Sequence, residues 1–415
     1  MKKWILVPLL LLICVPSALM QQETDDLTGR IAYIGDDYNV YVLDPATETQ
    51  VAMTDDATDT RRYLWPTWSN NNKLAYFCCD AFAASDAFTE VYISPDGVLS
   101  GEQVEVFDGS IFQYALWAPD DCGLGDKCRD LSVLITGDQG LSVELIRDFN
   151  GFVRQTVGRG SPFYQSFSPD GTRLLLQRDN TQFDVYDIES DQFTSIAQQP
   201  GLMQAPGWSP VDDRFLLTTL NEDAGASDLV VLADGEPQVL AEALIGQVSS
   251  SWSPNGNYVA YRTVSQEFGE LVVVDSVSGE RLTETLYSEV IAFFWSPDST
   301  KLAFLTFSSA PGAFSVSTAA QQQEPESLAW WVLDVESDQV IRYANFVPTG
   351  QMIYIINFFD QFAQSHSFWS PDSTHLVFAE VTDAGDSVIS LLDITQADAV
   401  PFAVADGVIG IWSYR

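Results

Sequence analysis

Residues 293–304 read FFWSPDSTKLAF, and residues 367–378 read SFWSPDSTHLVF. The Trp-Ser-Pro-Asp phrase recurs along the chain. It appears as WSNN at Trp68, WAPD at Trp117, FSPDG at Phe167, WSPVD at Trp208, WSPNG at Trp252, WSPDS at Trp295 and Trp369, and a truncated WS at Trp412. Successive markers lie 41 to 50 residues apart, except for 74 residues between Trp295 and Trp369. A repeat of this period is the sequence mark of a solenoid, a propeller or an array.

A short apolar run follows each marker: KLAYF, LSVLI, RLLLQ, RFLLT, YVAYR, KLAFL and HLVFA. A second run often ends in Asp, as in FDVYDI, LVVVDS and AWWVLD, and a weaker third run follows in most units. The runs are short, β-branched and aromatic, and no stretch shows sustained helical periodicity, so the chain reads as all-β. The marker has a mechanical meaning. Proline presets φ for the first central position of a tight turn, Asp or Asn bonds back to the local backbone, and Gly or Asn accepts the left-handed position. The aromatic residue before it ends a strand and offers a large apolar plate between neighbouring sheets. Four strands per unit, repeated radially, predict a β-propeller.

The phrase and the strand after it resemble the WD40-like propeller repeats of the TolB type, which are similar to the propeller repeats of prolyl-oligopeptidase-like proteins. The resemblance spans the chain after its N-terminal segment and implies binding to a protein partner in the cell envelope. The ends predict ring closure. GRIAYI, NVYVLD and TQVAMT read as the second to fourth strands of a unit, and VIGIWSYR near the end reads as its missing first strand. Pairing them removes exposed sheet edges. The expectation is one propeller domain over residues 27–415 with eight four-stranded blades. Seven is the alternative if a weak unit near Trp68 or Trp117 is misread.

Residues 1–22 read as a secretory signal peptide: Lys2 and Lys3, an apolar run from Trp4 to Val15, then small and polar residues. An uncleaved anchor and a lipoprotein site at Cys14 are the alternatives, against which stand Pro8, Pro16 and bulky Ile13. The expected location is secreted or periplasmic, at the cell envelope. The formal net charge of −39 disfavours nucleic acid and anionic membrane surfaces as partners. Among the other cysteines, Cys122 and Cys128 share one turn and are expected to form a disulfide. Cys78 and Cys79 end a strand at the opposite rim, too far to cross-pair, and are a vicinal bridge or free thiols.

Function is expected on the rim opposite the Trp-Ser-Pro-Asp turns, called the top. Those turns, at the bottom, are read as scaffold. Three connections depart from the repeat at the top: DAFAASDAFTE after Cys79, SSAPGAFSVSTAAQQQEPES, and NFVPTGQMIYIINFFDQFAQSH. The last is unusually aromatic. Phe358, Phe359, Asp360, Phe362 and His366 are its candidate binding residues, as a recognition patch or channel lid, set against a folded plug with its own small core. No catalytic residues, metal site or cofactor are expected. There is no G-x-S-x-G elbow and only two histidines, and paired acids such as Asp120 and Asp121 read as solvated turns, with loosely bound calcium as an open possibility. The leading expectation is a non-catalytic, monomeric protein- or peptide-binding scaffold. Alternatives are a small-molecule or glycan-binding propeller using the central channel and, further behind, a hydrolase or lyase using channel carboxylates.

Overall fold

The computed structural model describes residues 27–79, 88–119, 130–148, 151–202, 205–264, 270–283, 289–308 and 327–415. The strands form eight antiparallel sheets, six of four strands and two of three, arranged as the blades of a propeller. The two shorter sheets keep their fourth position as single bridges, Val274↔Arg281 in the sixth blade and Trp369↔Leu376 in the eighth. The ring closes as expected. Ile31–Ile34 pairs antiparallel with Ile409–Trp412, in register from Ile31↔Trp412 to Ile34↔Ile409. The first blade therefore takes its innermost strand from the end of the chain, so that the inner edge of Ile31–Ile34 is paired and not left as a template for another molecule. The marker turns at Trp68 (Asn70–Asn72) through Trp369 belong to the second to eighth blades.

The marker phrase builds one turn repeatedly. Ser296 Oγ lies 2.6 Å from Asp298 Oδ1, which accepts from the backbone N–H and the hydroxyl of Thr300 at 2.9 and 2.8 Å. Ser370, Asp372 and Thr374 repeat the set, as do Ser168, Asp170 and Thr172. Burial works to raise the Asp298 pKa, but the hydrogen bonds from Ser296 and Thr300 outweigh it and hold the carboxyl below its usual range. The next position is left-handed in five of these turns, with φ of 66° at Asn72, 67° at Gly171, 71° at Gly256, 63° at Ser299 and 61° at Ser373. Asn and Gly take this region readily, and serine less so. The two serines gain something glycine cannot offer. Ser299 Oγ accepts from the Asn255 N–H at 3.0 Å, and Ser373 Oγ from the Asp298 N–H at 3.1 Å. Each latches its turn to the turn of the preceding blade.

The marker aromatics form a second set of ties. Trp117 Nε1 donates to Thr67 O at 2.9 Å, Trp252 Nε1 to Gly207 O at 3.1 Å, and Trp369 Nε1 to Phe294 O at 3.0 Å. Each acceptor is one blade back. The ring faces are covered from the same side: the Arg173 guanidinium lies 4.8 Å from the Trp208 ring centre, that of Arg214 4.8 Å from Trp252, and Tyr258 stacks on Trp295 at 6.2 Å. A buried indole thus fills the wedge between blades and, in three cases, closes a hydrogen bond across it.

The Asp that ends many third strands also has a turn role. Asp275 accepts from Ser278, Asp334 from Ser337 and Asp393 from Thr395, through both backbone and hydroxyl. Much of the acidity therefore sits in bottom-rim turns. The Cys122–Cys128 pair lies outside the described residues. Cys78 and Cys79 are joined in a vicinal disulfide.

Trp369 and Trp412 are both fully buried, but the Trp412 indole N–H has no partner among the described residues. Replacing either with Phe removes similar volume, so the Trp369 hydrogen bond is isolated by comparison. Trp369→Phe is expected to lower unfolding free energy by about 1–2 kcal/mol more than Trp412→Phe. Denaturant midpoints at equal m-value measure the difference, and equal losses would show that the cross-blade bond contributes nothing.

Candidate functional site

The aromatic connection before Trp369 holds two short helices, α1 (Gly350–Asn357) and α2 (Phe359–Phe362). The expectation of no helix fails here because two turns are too few for periodicity to register. A local signal was present: Thr349 caps α1, its hydroxyl accepting from the Met352 N–H at 3.3 Å.

The helices enter the channel and bond to most of the ring. Tyr114 donates to Gln361 O at 2.9 Å. The Gln361 amide copies a strand partner for Gln165, donating to its carbonyl at 3.0 Å and accepting from its N–H at 3.3 Å. Asp360 Oδ2 accepts from the Ala205 N–H at 3.1 Å, and Thr349 Oγ1 donates to Val408 O at 2.5 Å. Phe362 packs on Trp65 at 5.5 Å and Tyr114 at 5.1 Å, while Phe359 packs on Phe293 at 4.8 Å. The bulge after Leu64, with Trp65 at φ 52°, sets the Trp65 ring against this plug.

The five candidate residues divide sharply. Phe358 is 41% exposed, whereas Phe359, Asp360, Phe362 and His366 are 1, 8, 2 and 1% exposed. Four of the five are thus parts of an internal plug, brought together around the axis rather than on a top surface. Most of SSAPGAFSVSTAAQQQEPES and of DAFAASDAFTE lies outside the described residues.

Beneath the plug is a cavity of about 430 Å³. Its wall is the marker set: Trp68, Trp117, Phe167, Trp208, Trp252 and Trp295, with the prolines that follow five of them at positions 119, 169, 210, 254 and 297. The roof is the C-terminal side of the plug, Asp360 and Ala363 to Phe368, joined by Tyr414. The structure therefore places this cavity on the bottom side, among residues read as scaffold. The signal was in the repeat itself, since seven of the eight marker aromatics, all but Trp412, border the cavity.

The polar groups of the roof are unusual. Asp360 is buried, and its carboxylate accepts from two backbone N–H groups, those of Ala205 and Gln361, each at 3.1 Å. Burial nevertheless raises its pKa above the ordinary carboxylate range. The Arg262 guanidinium nearby lies over the Phe359 ring at 4.7 Å and donates to Val290 O at 2.8 Å; burial lowers its pKa to about 10. His366 has Nδ1 2.7 Å from Ser365 Oγ, and its Nε2 has no partner among the described residues. Burial lowers the His366 pKa to about 3, so the ring is neutral.

A second cluster lies at the top of the second blade. Cys78, Cys79 and Glu90 place ligand-type atoms within 4.8 Å of one another. The two sulfurs are bonded to each other, and Glu90 pairs with Arg61 at 2.9 Å, so the donors are already engaged.

His366 generates a pH prediction. Its folded pKa is about 3 against an ordinary 6.5, so between those values the unfolded chain binds more protons and stability falls as pH falls. The loss approaches about 1.4 kcal/mol per pH unit below 6.5. Asp360, raised by burial, acts in the opposite sense, because protonation at low pH favours its folded form. Comparison with His366→Asn cancels that contribution. Between pH 6.5 and 5 the variant is expected to lose less stability than the native chain, by about 1–2 kcal/mol, in urea unfolding at each pH. Parallel curves would refute a buried neutral histidine.

No protein-family model matches the chain, and no curated protein does. Many solved structures do. A dihydro-heme d1 dehydrogenase, NirN, in complex with DHE is 13% identical with a TM-score of 0.58, over 92% of this chain and 74% of that one. An oligogalacturonate lyase from Vibrio parahaemolyticus is 13% identical with a TM-score of 0.51, over 89% and 98%. TolB from Acinetobacter baumannii is also matched, at 13% identity and a TM-score of 0.40, over 85% and 83%. Similarity at this level shows the fold alone, and the count of eight blades is that of this chain's own sheets.

Proposed function

We propose that this chain is an extracytoplasmic binding propeller, without catalysis of its own, that takes a small organic ligand in the bottom half of its channel. The observation that carries this reading is the cavity of about 430 Å³, roofed by the plug and walled by marker aromatics from successive blades. Small-ligand sites are concave, mostly apolar and supplied with a few convergent polar groups, and volumes of ~300–1,000 Å³ are usual. Asp360, Ser365 and His366 provide such groups at the roofed end. Rigidity favours the same reading, because the walls are innermost strands and the roof is bonded to several blades, so the site is preorganised.

The top-face scaffold is the weaker reading, because four of the five residues nominated for it are interior. An extracytoplasmic location is supported by the charged, apolar and small order of residues 1–22 and by the Cys78–Cys79 disulfide, since oxidising compartments favour such bonds. No helix among the described residues is long and apolar enough to cross a membrane.

The test is a panel of sugars, amines, carboxylates and short peptides, read by thermal shift and tryptophan fluorescence. Ser251 lines the cavity, and Ser251→Phe would fill part of it. A ligand of the channel is expected to raise the native midpoint saturably and to bind at least tenfold more weakly to Ser251→Phe. A ligand that binds both proteins equally sits elsewhere and would overturn the channel reading.

A further inference from the structure

Resting on the channel reading, we infer that the ligand of this cavity is an organic cation, an amine or quaternary ammonium compound seated against the tryptophans beneath Asp360. Three independent observations point the same way.

The first is the roofed end. Asp360 is a buried carboxylate that lines the cavity and makes no ion pair among the described residues. Arg262, the cation closest to it electrostatically, is committed to the Phe359 ring and to Val290 O. A buried carboxylate held by two backbone N–H groups and the charge of Arg262, without an ion pair among the described residues, is costly, and a ligand cation beside it offsets that cost. The second is the wall. Aromatic faces attract cations, and desolvated cages of such rings recognise ammonium groups. Two rings of this same wall already do so: Trp208 and Trp252 carry the guanidinium groups of Arg173 and Arg214 at 4.8 Å.

The third is the mouth. The marker prolines that line the cavity belong to the bottom-rim turns, and both sets of turns on that rim carry carboxylates outside the lining itself: Asp170, Asp298 and Asp372 after the innermost strands, and Asp275, Asp334 and Asp393 after the third. The bases beside them are already paired, Arg173 with Asp213 at 2.7 Å, Arg214 with Asp212 at 2.9 Å and Lys301 with Asp298 at 3.8 Å. With a chain charge of −39, the field at the mouth draws cations in and turns anions away. A carboxylate or phosphate ligand would meet this field and then Asp360 itself.

The experiment uses the full chain with choline and its uncharged carbon isostere 3,3-dimethyl-1-butanol, followed by calorimetry. Choline is expected to bind at least tenfold more tightly than the isostere. Its affinity is expected to fall at least threefold between 50 and 500 mM salt, while that of the isostere does not. Asp360→Asn is expected to remove most of the preference without abolishing isostere binding. Because Asp360 is buried and that variant can misfold, the choline–isostere comparison on the native chain stands as the primary readout. Equal affinities for the two, or binding of neutral sugars with none of choline, would overturn the cationic assignment. In those cases Ser251→Phe still decides whether a channel site exists, so the two failures are separable.

Discussion

The structure depends on one constraint: eight sheets must meet around an axis, and the wedge between each pair must be filled without leaving polar groups bare. The marker turn meets most of it, although the indole N–H groups of Trp68, Trp208, Trp295 and Trp412 have no partner among the described residues. Its aromatic side chain fills the wedge, and three of the indoles reach one blade back for a carbonyl. Its serine and aspartate fold the turn on themselves, and in the seventh and eighth blades a left-handed serine reaches the previous turn. The near-identity of residues 293–304 and 367–378 therefore has a physical cause. The same joint is made twice, with the same bonds among serine, aspartate and threonine inside the turn and the same serine latch to the turn before it.

Ring closure extends this logic. Pairing Ile31–Ile34 with Ile409–Trp412 makes contacts between residues nearly a whole chain apart. The loop-closure entropy of such a pairing grows only slowly with length, so what it costs in stability is modest, while what it removes is an open sheet edge. The blades whose fourth strand shrinks to a bridge show how far the repeat can be relaxed. In the eighth blade the innermost strand shortens where the plug enters, keeping the Val377 N–H bond to Phe368 O that matches the Phe294↔Ala303 pair of the seventh blade, while Trp412 N–H bonds Ser367 O.

What was legible in the sequence was what repeats. Blade number, strand order and closure follow from Trp68 to Trp412, because a period repeated along the chain averages out local ambiguity. The plug was not legible as a helix, because Gly350–Asn357 is two turns long and its apolar residues face several blades at once. Its aromatic content did announce a segment with its own core, and the burial of Phe359 and Phe362 fits that. The depth of the connection was not legible for a different reason. Asp360 and His366 were read as part of a top-side patch or channel lid, set against a folded plug, and the connection descends the channel so that both line the cavity beneath it. Sequence position locates a loop's anchors, not the depth to which it folds back.

That descent decides what kind of site the ring can offer. An open propeller channel is a water-filled bore whose walls are solvated from both rims. A plug bonded to Gln165, Tyr114 and Ala205 stands in the bore and roofs the cavity beneath it. Beneath such a roof the dielectric is lower, so a single carboxylate and a few ring faces weigh far more on a ligand than they would in water. The acidic turns outside, which the fold needs for its own geometry, then set the charge of whatever approaches. The same aspartates that make the repeat possible thereby restrict the chemistry of the chamber it encloses, and a ligand of matching sign requires no further polar residue in the wall.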